Sequence, residues 1–268
     1  FQMRAFVLAS LFSFVLGTSS QQFERLPDFD ISNDELITLA DKLHEADENA
    51  AKPGQILLNY QGHSTARNRS DNAPQRLFAR VDPSLLERPS YQQFIALLDN
   101  FNREPGDAEP RASQTEDEQE KSAFLSTVLQ SRPMQLLYSY LQEKGHPFAK
   151  DTETWRKWLA QLWFGNYARS QKRKTINSSG FEHVFVGEVK KGKVSGLHNW
   201  LRFYLLERDA QSQADFDYKG FSVTRFNVLA TVQFTWEDEI KQTGSLLIGT
   251  SPEFEMSLYT LCFLSRRG

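Results

Sequence analysis

The stretch VLATVQFTWE, at residues 228–237, separates into two columns of side chains. Every second residue from Val228 to Trp236 is apolar, whereas most of the intervening positions are polar. A period of two residues is typical of a β-strand that buries one face. Residues 181–189 and 245–249 are also strand-like, so the second half of the chain predicts a sheet.

Helical patterns flank these strands. Ser251-Pro252-Glu253 predicts a helix start, because proline suits the first helical position and an acidic residue suits the first turn. Ser32 and Glu35 form a capping-box pattern that predicts another helix. Three sets of apolar residues recur at helical spacing in the first half: Leu36, Leu39, Ala40 and Leu43; Phe94, Leu97, Leu98 and Phe101; Trp155, Trp158, Leu159, Leu162 and Trp163.

The order of these patterns predicts an α+β fold. A mainly helical part at residues 28–170 precedes a part at 171–268, made of antiparallel β-sheets with flanking helices. Residues 102–121 are acidic, contain two prolines and are almost without apolar side chains, so they predict a linker whose end enters the next helix.

The first twenty residues predict a signal peptide. A positive start at Met3-Arg4 is followed by an apolar run to Leu16 and by small residues suited to cleavage. We therefore expect a secreted protein that has no membrane partner after the signal peptide is cleaved. Sequons at Asn68 and Asn177 predict that it is glycosylated. The one cysteine, Cys262, either lacks its disulfide partner or is a small buried residue.

Two of the five histidines, His183 and His198, lie fifteen residues apart around a glycine-bearing turn. A metal-free ribonuclease needs two such groups, one to take a proton from the ribose 2′-hydroxyl and one to give a proton to the departing 5′-oxygen. Imidazole titrates near neutral pH and can do both. Spacing alone leaves two inert surface histidines, or a zinc site that lacks its further ligands, as alternatives. The net charge of −3 provides no global basic field, so RNA binding requires a local basic patch.

Longer motifs surround these histidines and make the comparison specific. They are SSGFEHVFVGE at 178–188, VSGLHNW at 194–200, FYLLE at 203–207 and KQTGSLLIGTSPEFEMSLYTLCFL at 241–264, with DELITLADKLHEADENA at 34–50 and PSYQQFIALLDN at 89–100. On these residues the chain resembles the EndoU family, the poly(U)-preferring endoribonucleases of animals and their coronavirus relatives. The similarity runs from about Ile31 to Leu264 within a domain that we place at residues 28–268.

The resemblance implies cleavage of single-stranded RNA at uridylates, with a 2′,3′-cyclic phosphate as product. It implies that His183 is the general base, that His198 is the general acid and that Lys241 stabilises the transition state. Ser245 matches a position implicated in reading uracil in the viral relatives. We expect a monomer that binds uridylate-rich RNA.

The resemblance also implies that Glu182 and Glu188 support activity or a dependence on Mn²⁺. On a regular strand both carboxylates face away from His183, so we expect them to have a supporting or structural role. Mn²⁺ is then expected to act through RNA phosphates or at a separate site, with unknown ligands. The basic residues Arg169, Lys172 and Arg173 are candidates for contacts with RNA phosphates.

Family members usually continue about forty residues further, through strands that complete the last sheet and carry a residue that stacks on uracil. The sequence therefore predicts a fragment or a truncated copy, without those strands. Its alternative function is that of a secreted RNA-binding protein with impaired catalysis. A serine protease is disfavoured, because the chain has no Gly-x-Ser-x-Gly motif.

Overall fold

The computed structural model describes residues 29–65, 67, 69–101, 114–166, 178–189, 192–209, 215–225 and 228–265. The predicted signal peptide, the sequon residues Asn68 and Asn177, and residues 102–113 of the predicted linker lie outside these ranges. Within them, helices dominate the first half and antiparallel strands the second, which confirms the predicted α+β class.

Helix α1 (Asn33–Glu45) begins where the capping-box pattern predicted it. The Ser32 hydroxyl accepts a hydrogen bond from the Glu35 amide, and the Glu35 carboxylate accepts one from the Ser32 amide. This reciprocal pair satisfies amides that the first turn of a helix otherwise leaves without partners. The buried face consists of the four apolar residues predicted from helical spacing.

The other helices of the first half are α2 (Pro83–Leu86), α3 (Pro89–Leu97), α4 (Gln114–Gln130), α5 (Arg132–Glu143) and α6 (Thr152–Phe164). Helix α4 begins inside residues 102–121, where the end of the predicted linker was expected to enter a helix. The polar first turns of α4 are largely exposed, and only its later residues, such as Phe124 and Val128, reach the core. No helix in the described ranges has both the length and the apolar character needed to cross a membrane.

A small antiparallel sheet also lies in the first half. It pairs β1 (Ile56–Leu58) with β2 (Phe78–Val81). The sequence did not predict it, because strands of three and four residues are too short to show a clear alternation.

The main sheet of the second half has the strand order β5 (Phe216–Arg225), β6 (Leu229–Trp236) and β7 (Glu239–Leu247). Every second side chain of β6 from Ala230 to Trp236 is buried, as predicted from the alternation. This face packs on helix α7 (Trp200–Asp209), where the Phe203 and Phe234 ring centroids are 5.3 Å apart. Strand β7 begins before the predicted residue 245, because its polar first half is held by pairing with β6 and has no apolar column of its own.

Helix α8 (Pro252–Ser265) is the most deeply buried element among those described. It starts as predicted, with Pro252 at its first position and the Ser251 hydroxyl accepting a hydrogen bond from the Phe254 amide at 3.1 Å. All residues from Pro252 to Cys262 are buried, and the helix packs against α1, α3 and α5. Because such a helix has no solvent-facing side, its polar side chains need hydrogen-bond partners inside the protein.

Candidate active site

His183 lies in a single π-helical turn (Glu182–Val186), and not in the strand predicted at residues 181–189. The Ser179 hydroxyl accepts a hydrogen bond from the Glu182 amide at 3.1 Å, and the Glu182 carboxylate accepts one from the Ser179 amide at 3.3 Å. The Gly187 amide then donates to the Glu182 carbonyl at 2.9 Å and closes the wide turn. Only residues 188–189 form a strand, β3 (Glu188–Val189).

The side chains of this turn explain why it is helical. Phe181 and Phe185 are both fully buried, and their ring centroids are 5.1 Å apart. Residues four apart share one face of a helix but are separated along a strand. The capping box and this shared buried face therefore override the β propensity of the Val-Phe-Val run at 184–186.

His198 is brought to the same place by a tight backbone crossing. Strand β3 pairs with β4 (Val194–Ser195), after which Gly196 and Leu197 both adopt positive φ, at 70° and 57°. The Leu197 amide donates to the His183 carbonyl at 3.2 Å, and the His198 amide donates to the Val184 carbonyl at 2.8 Å. The two histidine segments are therefore bonded to each other directly through their backbones.

Glycine is required at the crossing. A Cβ atom built at position 196 lies 1.7 Å from the carbonyl oxygen of His183, far inside any allowed contact. Left-handed backbone is also unfavourable for residues with a side chain, and Leu197 nevertheless adopts it. A strained non-glycine residue of this kind is often found where a structure fixes functional groups.

The imidazole rings of His183 and His198 face each other edge to face. Their centroids are 6.4 Å apart, with an angle of 65° between the ring planes. His183 is partly exposed, whereas His198 is buried. The His198 Nδ1 lies 3.1 Å from the carbonyl oxygen of Ser245. Because a carbonyl oxygen can only accept, Nδ1 carries the hydrogen of this bond and leaves Nε2 to exchange a proton.

Lys241 completes the group from strand β7. Its side chain is half-buried, and its Nζ donates to the carbonyl oxygen of Gly196, at the backbone crossing. Burial lowers the pKa of Lys241 to about 8, so Lys241 is protonated in most molecules at neutral pH. Burial, together with the charge of Lys241, lowers the pKa of His198 to about 3 and keeps that ring neutral in the free protein.

For the RNA cleavage that the resemblance implies, replacing Lys241 by methionine is expected to lower the rate by about 10²–10³-fold, because a preorganised charge near the reacting phosphate is lost. Cleavage by the unchanged protein should also fall above pH 8, where Lys241 loses its proton. Lys241→Arg keeps the charge at higher pH and is expected to move this alkaline limb upward. Rates measured from pH 6 to 10 check both effects, and an identical alkaline limb for the Lys241→Arg variant would refute this assignment.

Comparison with known proteins identifies the family of this chain. The family model described as Endoribonuclease XendoU matches residues 35–268, which include both histidines and Lys241. The chain belongs to the XendoU family. A uridylate-specific endoribonuclease of Homo sapiens is 40% identical over 242 residues, which are 89% of this chain and 57% of that protein. The uridylate-specific endoribonuclease B of Danio rerio is 39% identical over 243 residues, which are 86% of this chain and 83% of that protein.

A solved structure of XendoU, described as "a splicing independent snoRNA processing endoribonuclease", has the same fold. Its TM-score is 0.74 at 35% identity, over 89% of this chain and 86% of that chain. The chain spans only 57% of the length of its relatives from Homo sapiens, Bos taurus and Mus musculus. The activity of those whole proteins is therefore a proposal for this chain.

Ser245 lies in β7, opposite Thr231 of β6. Its backbone carbonyl is the group that His198 contacts, and its side chain is half-buried. This position places the candidate uracil contact next to the histidine pair. The candidate phosphate-binding residues Arg169, Lys172 and Arg173 lie outside the described residues.

Glu182, the first residue of the π-helical turn, and Glu188, which follows the turn, are both buried. The Ser178 hydroxyl donates to Glu188 Oε1 at 2.6 Å, and Glu182 belongs to the capping box with Ser179. The strand geometry used to separate these carboxylates from His183 was wrong, because residues 182–186 are helical. In the described ranges, no three His, Cys, Asp or Glu side chains lie together as metal ligands.

A buried polar network next to His198 was not predicted from the sequence. Its members are Asn199, Thr250 and Glu255, all of which are buried. Asn199 and Glu255 are 56 positions apart, so no local pattern connects them. The available signal was a glutamate inside the apolar helix α8, which required an internal partner.

Proposed function

We propose that this chain is an endoribonuclease that cleaves single-stranded RNA at uridylates. The observation that supports this most strongly is the pair formed by His183 and His198, with ring centroids 6.4 Å apart and the cation of Lys241 beside them. Two imidazoles and a cation are what the cleavage of RNA by its own 2′-hydroxyl requires.

In the proposed reaction, His183 takes the proton of the 2′-hydroxyl as O2′ attacks phosphorus. The bond from phosphorus to O5′ breaks, and His198 Nε2 gives a proton to the departing O5′. The products are a 2′,3′-cyclic phosphate and a 5′-hydroxyl. Lys241 stabilises the negative charge that develops on the phosphate oxygens.

The low pKa of His198 has a direct consequence for its role as the acid. An imidazole that is neutral in the free protein must gain a proton before it can donate one. A bound phosphodiester brings a negative charge, and a nearby opposite charge favours the protonated form of histidine. We therefore propose that RNA binding raises the pKa of His198, so that the ring takes up the proton that it later donates to O5′.

Uridylate preference is proposed from the names of the relatives and from the position of Ser245. The test uses DNA oligonucleotides that contain one ribonucleotide, either uridine, cytidine or adenosine. We expect cleavage at the single ribouridine, and no cleavage when its 2′-hydroxyl is replaced by a 2′-O-methyl group. The Ser245→Ala variant should lose most of the preference for uridine, because the side-chain hydroxyl is removed. It should still cleave RNA, because the backbone contact to His198 remains.

Thr243→Ala is the matched control for this test, because Thr243 is exposed on the same strand. Equal cleavage at all three ribonucleotides by the unchanged protein would exclude uridylate specificity. A Ser245→Ala variant with unchanged preference would exclude only the role of Ser245.

Binding of RNA without cleavage is the second candidate function. The neutral state of His198 in the free protein favours it, because without a proton on this ring the departing O5′ lacks its acid. A gel shift with a uridylate-rich oligonucleotide that stays intact would support this alternative. Mn²⁺ dependence, secretion and a monomeric state stay predictions from the resemblance and the N-terminal sequence, and no step above passes through a metal ion.

A further inference from the structure

A carboxylic acid lies at the centre of the buried network next to His198. Glu255 is fully buried in the first turn of α8. Its Oε2 accepts a hydrogen bond from Asn199 Nδ2 at 3.1 Å, and its Oε1 lies 2.8 Å from Thr250 Oγ1. Among the residues that the structure describes, no cation acts on this carboxyl. A buried carboxylate without a positive partner is costly, which favours the neutral acid.

Hydrogen-bond accounting leads to the same protonation state. Thr250 Oγ1 also lies 2.9 Å from the carbonyl oxygen of Leu247. A hydroxyl has one hydrogen, and a carbonyl oxygen can only accept. If that hydrogen points to Leu247, the contact between Thr250 and Glu255 needs a hydrogen on Glu255. A protonated Glu255 satisfies both contacts with one hydrogen for each.

The surrounding charges favour the neutral form as well. The pKa of Glu255 is raised to about 8, mainly by burial and in smaller part by the charge of Asp47, which follows α1. The hydrogen bonds from Asn199 and Thr250 act in the opposite direction. Tyr91 from α3 and Tyr259 from α8 also face this carboxyl, and burial raises the pKa of both phenols, so they stay uncharged.

Two further charged residues, Glu253 and Arg88, act on Asp47 and not directly on Glu255. The pKa of Asp47 is raised to about 6, mainly by burial; Glu253 also raises it, whereas hydrogen bonds from Ser251 and the charge of Arg88 lower it. Asp47 Oδ2 in turn accepts a hydrogen bond from the Ser251 amide at 3.0 Å. The cation of Arg88 thus offsets the charge of Asp47 and leaves the carboxyl of Glu255 without an ion pair of its own.

Asn199 connects this acid to the histidine. It directly follows His198, and its Oδ1 accepts a hydrogen bond from the Arg202 amide at 2.8 Å, which caps α7. Its backbone forms a parallel bridge with Leu247, two residues after the Ser245 carbonyl that holds the His198 ring. The next residue, Trp200, donates from Nε1 to the Thr250 carbonyl at 2.7 Å. Asn199 and Trp200, which directly follow His198, are therefore fixed to the end of β7 and to α8.

We propose that Glu255 is held as a neutral acid and that, through Asn199 and Thr250, it is a positioning residue for His198 in the cleavage reaction proposed above. The part of the proposal that concerns catalysis rests on that function. The protonation state does not depend on that function.

Glutamine is an isostere of the neutral acid, which makes the decisive variant Glu255→Gln. Its oxygen accepts from Asn199, and its amide donates to Thr250, as the protonated glutamate does. We expect Glu255→Gln to cleave a ribouridine oligonucleotide with kcat within about threefold of the unchanged protein. Glu255→Ala should lower kcat by about 10–100-fold with little change in KM, because a small displacement of an acid–base group has effects of this size.

The matched control for these rates is Ser257→Ala. Ser257 is a buried residue of the same helix, and its hydroxyl donates only within α8, to the Glu253 carbonyl. If kcat falls equally in Glu255→Gln and Glu255→Ala, a charged carboxylate is needed and the proposal is wrong. A loss of kcat in Ser257→Ala as large as that in Glu255→Ala would show a general effect of α8 and would also overturn it.

The second readout is the pH dependence of thermal unfolding, which requires no activity. Because the folded pKa of Glu255 is raised above its ordinary value of 4.5, the folded state holds a proton that the unfolded chain releases. This contribution to stability is complete below pH 4.5 and is lost as the pH rises to about 8. Glu255→Gln removes the titration, so its Tm should gain at least about 5 °C on the unchanged protein between pH 4.5 and 8.5.

The two readouts separate the two proposals. If the unchanged protein cleaves no RNA, the proposed function fails, while the Tm series still tests the neutral acid. A Tm difference that stays constant between pH 4.5 and 8.5 would contradict the neutral acid whatever the cleavage assay shows. The unfolding series is preferred to the alkaline limb of cleavage, because Lys241 titrates in the same range.

Discussion

Replacing either His183 or His198 by alanine is expected to lower RNA cleavage by about 10²–10⁴-fold, which is the usual contribution of a positioned general acid or base. The affinity for uridylate-rich RNA should stay within about threefold, since neither imidazole is expected to provide most of the phosphate contacts. Initial rates with a fluorescent oligonucleotide and gel shifts with a 2′-O-methyl analogue measure the two properties separately.

A variant with both His183 and His198 replaced by alanine tests this prediction further. If both imidazoles act in one concerted step, removing the second should add little to the loss caused by the first. His63→Ala is the control, because His63 is an exposed histidine that contacts the Ser222 carbonyl at 3.0 Å and lies on the loop beside β5. Full cleavage by either single variant would remove the corresponding histidine from the mechanism.

The second large loss of RNA cleavage is expected when one methyl group is added at Gly196. Gly196→Ala places a Cβ atom 1.7 Å from the His183 carbonyl, so the two histidine segments must move apart. The hydrogen bonds from Leu197 to His183 and from His198 to Val184 join the same two segments and should weaken with this movement. We expect cleavage to fall by about 10²-fold or more, since a displacement of about 1 Å can have that effect. The rate and the urea midpoint of the variant measure the result.

Gly145→Ala is the control for the backbone contribution. Gly145 has a φ of 67°, close to the 70° of Gly196, but a Cβ atom there meets nothing within 4 Å. Both variants carry the conformational penalty of about 1–2 kcal/mol for a left-handed L-residue. Only Gly196→Ala should also lose activity. Equal activities in the two variants would show that the close approach at position 196 is not needed for catalysis.

Local patterns predicted those elements that local interactions determine. The capping box at Ser32 and the proline at position 252 located two helix starts, and the alternation in residues 228–237 located β6. The turn at His183 was misjudged although Ser179 and Glu182 carry the same capping-box pattern as Ser32 and Glu35. The apolar run that follows fits a buried strand as well as a helical turn, and packing in the core selects between them.

The two histidines of the site were found from their spacing and from the motifs around them. The crossing at Gly196, the deprotonated state of His198 and the network of Asn199 with Glu255 were not predicted. Each depends on contacts between segments far apart in the sequence, such as His198 with Ser245, and on the removal of water from the groups concerned. Neither property is encoded in a short sequence window.

The chemistry of the cut end tests the central claim most directly. An oligonucleotide with one ribouridine is incubated with the protein, and the masses of both fragments are measured. The proposed mechanism predicts an upstream fragment that ends in a 2′,3′-cyclic phosphate and a downstream fragment with a 5′-hydroxyl, formed far more slowly by His198→Ala. A 5′-phosphate on the downstream fragment, or the same cyclic product formed at an unchanged rate by His198→Ala, would contradict it.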